Sequence, residues 1–417
     1  MKLSLTKSIR ACDVLQANIE REILRPDLFA LEVPDYKDTN TPPEGEYLPF
    51  SIVDGTEKRF WVKADFRTPA AERDVVYYLD VSTGIGGWDA LNPQMIMYLN
   101  GRMAHGLDVN HRRVMLEPDT DYKSVCYLYS GNQVAHFPVQ YRLIAVNKRV
   151  EKLYFDMIVP CDACNDVYQE SSAEYATVMS ALEQACNLLD LRAPGSEDFF
   201  AGVERAIEFM DTEFYGKVCT TEGKPTVNCI AHSHIDVEWQ WDRRQTREKI
   251  QRTASTAVAL MKEYPEYRFM LSQPELYRYL KEEAPEKFAE VQALVADGRW
   301  EPDGALYLEC DCNIISGESM VRQLLYGKKF IKNELGHESR VCFLPDVFGY
   351  SAAMPQILKK ADVDYFVTSK ISWNDTNTMP NDAFIWRGID GTEIFSAFKR
   401  SGYISNADTA TTRASPS

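Results

Sequence analysis

The segment Ala231-His232-Ser233-His234-Ile235-Asp236 sets two imidazoles and a carboxylate at alternate positions behind a short apolar run. Side chains two apart in an extended chain point to one side, so His232, His234 and Asp236 project together from a strand end. Imidazole nitrogen and carboxylate oxygen are the donors of catalytic zinc sites. A single histidine at a strand end is usually just a hydrogen-bonded side chain, whereas three metal-capable groups on one side point to a metal site. The chain has six histidines, and only His337 follows His234. Further ligands must then be mainly carboxylates, which disfavours an amidohydrolase, whose HxH pair works with later histidines.

Candidate carboxylates lie at later strand ends: Asp303 in RWEPDGAL, Asp311 in LECDCN and Asp346 in FLPDVFGY. Asp346 follows an apolar strand and precedes a helix, the position of active residues in β/α folds. A turn-forming Asp after Pro345 is an equal reading. Asp311, with Glu309 two residues before it, either contacts substrate or leads into the helix near Ser316. Asp303, between Pro302 and Gly304, reads as a turn residue, and His337, just past a helix end, as a solvated one. Two carboxylates converging on one cleft would suit glycoside cleavage, one as nucleophile and one as proton donor. Cys161-x-x-Cys164 lacks the second pair or the two histidines that a structural zinc needs.

The elements that must position these groups alternate strand and helix from Val227 onward. Val227–Ala231, Tyr267–Leu271, Gly304–Glu309, Arg340–Leu344 and Tyr365–Thr368 read as strands. Arg243–Tyr264, Glu318–Leu335 (ended by Gly336) and Met354–Lys360 read as helices, and Ser272-x-x-Glu275 as a capping box with Pro274 in the first turn. This grammar predicts a parallel sheet or a β/α barrel. Upstream, short β-branched and aromatic runs between 48 and 160, with an Asn100-Gly101 hairpin signal, predict a β-sandwich without catalytic residues. GLDVNHR (106–112) in it reads as a strand-end turn rather than a sugar-contacting loop. Arg10–Leu24 reads as an amphipathic helix and 34–47 as a loop. Helical periodicity over 174–189 and 199–210 makes a connector. The whole is a multidomain α+β chain: an N-terminal segment 1–47, a sandwich 48–160, a helical connector 161–222, a β/α domain 223–400 and an unstructured tail 401–417.

Composition sets the outer limits. The 417 residues carry 46 Lys and Arg against 62 Asp and Glu, a net charge of −16. Repulsion of that sign argues against nucleic acid or an anionic membrane as main partner. No run reaches the roughly 18 apolar residues of a membrane span, and the first residues make no secretory signal. A cytoplasmic location with reduced cysteines is the expectation.

Four motifs, AHSHIDVEWQW, LECDCNIISGESMVRQLLYGKKF, FLPDVFGYSAAMPQIL and TSKISWN…FIWRGIDGTEI, closely resemble, in order and spacing, the alpha-mannosidases of glycoside hydrolase family 38, in the branch of cytosolic and bacterial enzymes. YLNGRMAHGLDVNH resembles the N-terminal sandwich of that branch. The resemblance spans about 45 to 398. It implies a seven-stranded-type β/α barrel and a zinc-dependent retaining exo-mannosidase acting on mannose-containing oligosaccharides. Zn2+ would be held by His234, Asp236 and Asp346, and Asp346 would also be the nucleophile. Trp239 and Phe348 match positions that line the mannose subsite. Asp311 falls in a stretch that relatives write E-x-D-x-N, here flanked by Cys310 and Cys312. Lys370 falls where some relatives carry a basic residue near the nucleophile. His232 would lie outside the ligand set.

The resemblance also has gaps. The family's fourth ligand is a later histidine, and none follows His337 here. Its general acid/base is expected beyond GTEI, where FSAFKRSGYISN offers no carboxylate before Asp408. Family members are longer, so the chain reads as an N-terminal portion, weakly active or inactive by itself. A non-catalytic sugar-binding remnant is one alternative. A metal-dependent polysaccharide deacetylase is another, but it would need an HxxxH pair that is absent. Homo-oligomerisation stays open.

Overall fold

The computed structural model describes residues 2–33, 41–85, 93–219 and 228–399. Period-two alternation builds its first part. In Asp121–Tyr129 the buried Tyr122, Ser124 and Cys126 alternate with more open neighbours. This strand lies inside a six-stranded antiparallel sheet ordered Leu48–Pro49, Phe29–Val33, Arg59–Arg67, Asp121–Tyr129, Gln94–Leu99, Arg102–Leu107. A four-stranded antiparallel sheet faces it, ordered Glu20–Leu24, Gln140–Asn147, Val75–Ser82, Arg113–Leu116. Val62, Leu79, Met97, Cys126, Leu128 and Leu143 fill the space between them. Asn100 and Gly101 form the hairpin turn, with φ of 51° and 80° and Leu99 opposite Arg102.

The amphipathic helix expected over Arg10–Leu24 needs correcting. The helix is Lys2–Ala17, and Glu20–Leu24 is an edge strand paired with Leu143–Val146. Sheet pairing decides the conformation there, over a weak helical pattern. The loop expected over 34–47 falls partly outside the described residues. Three helices follow the sheets: Lys148–Asp166, Ala173–Leu188 and Glu197–Phe209. Each opens on a side-chain cap, Asn147, Ser172 and Ser196. The N-terminal helix joins them around Leu15, Leu153, Met157, Leu182 and Phe199. Cys161 and Cys164 are buried in that core, packing as small apolar side chains.

From Ala231 onward the strands are short and mostly parallel. Ala231–His232, Phe269–Met270 and Trp300–Glu301 form one sheet. Val341–Leu344, Tyr365–Thr368 and Glu393–Phe398 form a second, with Ala383–Arg387 antiparallel at its edge. The expected seven-stranded-type barrel is therefore corrected to two open sheets: among the described residues no strand pairing joins them. A side chain stands where the ladder would continue. Asp303 Oδ1 accepts from Val341 N at 3.4 Å and Oδ2 from Arg340 N at 3.5 Å. Each sheet keeps its own core, around Leu271, Leu276 and Trp300 in one and Leu344, Leu358 and Phe366 in the other. Gly304–Glu309, expected as a strand, is instead a bent segment with Ala305 at φ 61° and a turn from Leu306 N to Gly304 O.

The helix Arg243–Glu263 braces the sandwich against the first parallel sheet. It opens on Asp242, whose side chain accepts from Gln245 N. Ile250, Ala254, Ala257 and Val258 face the sheet core. Its other side meets the sandwich through buried polar contacts. Thr256 Oγ1 donates to Gly106 O (2.8 Å), Arg252 to Gln94 Oε1 (2.6 Å), and Tyr127 Oη to Glu248 Oε1 (3.1 Å). GLDVNHR ends in the strand-end turn, where Asp108 Oδ1 accepts from Asn110 N and His111 N. Gly106 lies so close to the helix that a Cβ there would stand 2.4 Å from Arg252 O. Gly106→Ala must push this helix off the sandwich. It is expected to lower stability by about 1–3 kcal/mol, measured by urea unfolding.

Candidate metal centre

His234, Asp346 and Lys370 each stand two residues past the carboxyl end of a parallel strand, Ala231–His232, Val341–Leu344 and Tyr365–Thr368. The fold brings the first two together with Asp236. His234 Nε2 is 3.2 Å from Asp236 Oδ1 and 3.4 Å from Asp346 Oδ2, and one donor atom of each of the three lies within 4.8 Å of the others. Donors held at about 2.0–2.2 Å around a tetrahedral zinc stand about 3.3–3.6 Å apart. The separations from Nε2 suit that ion, and so does the donor set of one imidazole and two carboxylates. His232 stands apart from the group. Its ring packs edge-on against Phe343, and burial lowers its pKa to about 3, keeping it neutral.

The electrostatics favour a cation at this point. Burial pulls the His234 pKa down, but Asp236, Asp346 and Glu309 together raise it to about 12. Burial likewise raises the Asp346 carboxyl, and His234 and Lys370 outweigh it, holding the group below its ordinary value. Lys370 Nζ is 2.5 Å from Asp346 Oδ1. The same ammonium lies 3.5 Å over the ring of Trp373 and 4.9 Å from that of Phe348. Those two rings are 5.2 Å apart, and both are largely exposed. Trp239, three residues past Asp236, is exposed too. It meets Trp241 edge-on at 5.5 Å, and Trp241 is backed by Lys249 Nζ at 4.0 Å.

Two residues at the centre were given no role from the motifs that contain them. Glu309 has a side chain only 5% exposed, with Oε2 at 3.0 Å from His234 Nδ1. Its signal was present as a carboxylate two places before Asp311. Trp373 was visible in TSKISWN as an aromatic three residues after Lys370. Asp311 itself is exposed, and its Oδ1 caps its own turn, accepting from Asn313 N and Ile314 N. The capping box expected at Ser272-x-x-Glu275 is overturned. The helix Pro274–Glu283 has Gln273 at its N-cap, with φ 65° and no side-chain cap, because the Ser272 hydroxyl donates instead to Glu309 Oε1 at 2.7 Å. A second cluster, Glu301, Asp303 and His337, includes the half-buried His337 that reads as solvated. Asp303 there is committed to Gly304 N and Val341 N.

Residues 224–416 match the family model described as the glycosyl hydrolases family 38 N-terminal domain. All four motifs lie inside that span, which runs on into residues 401–416. Over 265 residues, 63% of this chain, the sequence is 34% identical to Alpha-mannosidase G of Dictyostelium discoideum. It is 39% identical to the Alpha-mannosidase of Saccharomyces cerevisiae over 40% of this chain, and 37% identical to human Alpha-mannosidase 2C1 over 42%. The matched regions span 24%, 16% and 17% of those proteins' lengths. An alpha-mannosidase structure from Enterococcus faecalis aligns with 42% of this chain and 20% of its own, at 24% identity and a TM-score of 0.37. Among the described residues no helix is long and apolar enough to cross a membrane.

The Asp346–Lys370 pair has a titration consequence. The Asp346 pKa is depressed below 3.8, so the pair contributes stability above that value and loses it as pH falls through the lowered one. Lys370→Met is expected to move the Asp346 titration upward in metal-free protein, read by ¹³C-carboxyl NMR.

Proposed function

We propose that this chain carries the zinc-binding and nucleophilic half of a retaining alpha-mannosidase that removes terminal alpha-linked mannose from oligosaccharides. The observation that supports it is the convergence of His234 Nε2, Asp236 Oδ1 and Asp346 Oδ2 beside the exposed rings of Phe348 and Trp373. Sugars present an apolar C–H face to such rings, and the aromatic faces here border the carboxylate that would attack. His234, Asp236 and Asp346 would hold zinc, which supplies positive charge for the sugar hydroxyls in a distorted ring. Asp346 attacks the anomeric carbon as the bond to the leaving oxygen breaks, giving a glycosyl ester on its carboxylate. Lys370 keeps that carboxylate ionised and fixed in direction. Trp239 and Phe348 line the mannose subsite in this reading. Asp311, its Oδ1 engaged in its own turn, has no role in the proton transfer.

The test isolates the nucleophile from the leaving-group acid. A fluorinated mannosyl fluoride has a leaving group that departs with little protonation, so it labels a nucleophile without a proton donor. With zinc present, mass spectrometry is expected to find the sugar on the peptide carrying Asp346. Asp346→Asn is expected to lower the labelling rate by about 10⁴-fold or more. Labelling elsewhere, or none with zinc bound, would sink the assignment.

A further inference from the structure

Glu309 is tied by two hydrogen bonds to the residues just past a strand of the first sheet, and one of these is itself anchored beside His234. Ser272 Oγ donates to its Oε1 at 2.7 Å. Its backbone N–H donates to Gln273 Oε1 at 3.3 Å, and Gln273 Nε2 donates to Ile235 O at 2.9 Å, the carbonyl between His234 and Asp236. Ser272 and Gln273 are almost fully buried. The bent segment that carries Glu309 reaches them because Gly304 has no side chain, since a Cβ there would fall 2.8 Å from Ser272 Cβ. Gln273 takes a left-handed backbone, uncommon for a residue with a Cβ, and the helix after it forgoes a side-chain cap. Both local preferences are set aside for one outcome: the buried Glu309 Oε2, with no hydrogen-bond donor of its own among the described residues, stands in ion-pair contact 3.0 Å from His234 Nδ1.

We propose that Glu309, clamped by Ser272 and Gln273, is the positioning residue that fixes the ring and tautomer of His234. An imidazole has two nitrogens, and a metal takes the one that the other's partner leaves unprotonated. With its proton on Nδ1 facing Glu309, His234 presents the Nε2 lone pair toward Asp236 and Asp346. Glu309 binds neither the metal nor the sugar. This inference rests on the zinc reading of the preceding section and goes beyond it by naming what selects the ligating atom.

Zinc affinity of the full chain, by competition with a chromophoric chelator, separates the two ideas. The unaltered chain is expected to bind one zinc and His234→Ala none. Glu309→Ala is expected to bind about 10–100-fold more weakly, the usual effect of losing a ligand's partner. Glu309→Gln, whose amide oxygen can still accept from Nδ1–H, is expected to recover part of that loss. ¹⁵N NMR of the unaltered zinc-loaded chain needs no variant and is expected to show His234 protonated at Nδ1 and metal-bound through Nε2. Zinc bound through Nδ1, or Glu309→Ala binding zinc as tightly as the unaltered chain, overturns the role of Glu309 and leaves the metal reading standing. No zinc on the unaltered chain overturns both.

Discussion

Three carboxylates with little or partial exposure cannot share one small volume without a positive charge among them. Two like charges about 4 Å apart repel by about 4 kcal/mol at an effective dielectric near 20. Asp236, Asp346 and Glu309 all approach His234 within 3.4 Å, and Lys370 closes on Asp346 from the other side. In the metal-free protein the three carboxylates favour the charged imidazole, and Lys370 adds a second positive charge. A divalent ion at Nε2 would replace the proton there, with the other proton kept at Nδ1 toward Glu309. The short strands of the second half of the chain deliver these opposed charges to one point.

The delivery depends on the seam. His234 and Asp236 come from the first parallel sheet, Asp346 and Lys370 from the second, and Glu309 from the bent segment that runs between them. No backbone ladder crosses the seam among the described residues. Asp303 bonds across it at one place, and the His234–Asp346 contact crosses it at another. Strands of two residues bury little and pair through few hydrogen bonds, so the sheets alone hold the register weakly. The surrounding helices supply what the strands lack. Arg243–Glu263 is fixed to the sandwich by the close approach at Gly106 and by Glu248, Arg252 and Thr256. In this way the sandwich steadies the first sheet, while none of its described residues belongs to the metal-ligand group.

The sequence made some of this legible and hid the rest for physical reasons. His234 and Asp236 could be placed together because a period of two is enough to align them. Asp346 was recognisable as a strand-end carboxylate but equally as a turn residue, and only the three-dimensional meeting with His234 separates the two. The hairpin at Asn100-Gly101 and the helix stop at Gly336 were readable because positive φ favours those residues there. Glu309 was visible in its motif but its contact was not, because its partner lies 75 positions earlier in the chain and no local pattern records such a meeting. The open seam was unreadable too, since strand–helix alternation is the same for a closed barrel and for two adjacent sheets.

The failed capping box explains the local cost of the centre. Ser272 and Glu275 have the right spacing to close the helix Pro274–Glu283 at its first turn, and local preference alone would have them do so. Instead Ser272 turns to Glu309, and Glu275 pairs with Arg278 and with Tyr307 Oη. Pro274 at the first helical position has no N–H to satisfy, which softens the loss of the cap. A sequence usually agrees with its fold at every level, and places where local signals are overridden tend to be functional or strained. Here the overridden signal, the left-handed Gln273 and the buried Glu309 lie in one continuous chain of contacts that ends at His234. These contacts reach the histidine at Nδ1, while Asp236 and Asp346 meet it at Nε2, so they hold the ring without obstructing the cleft.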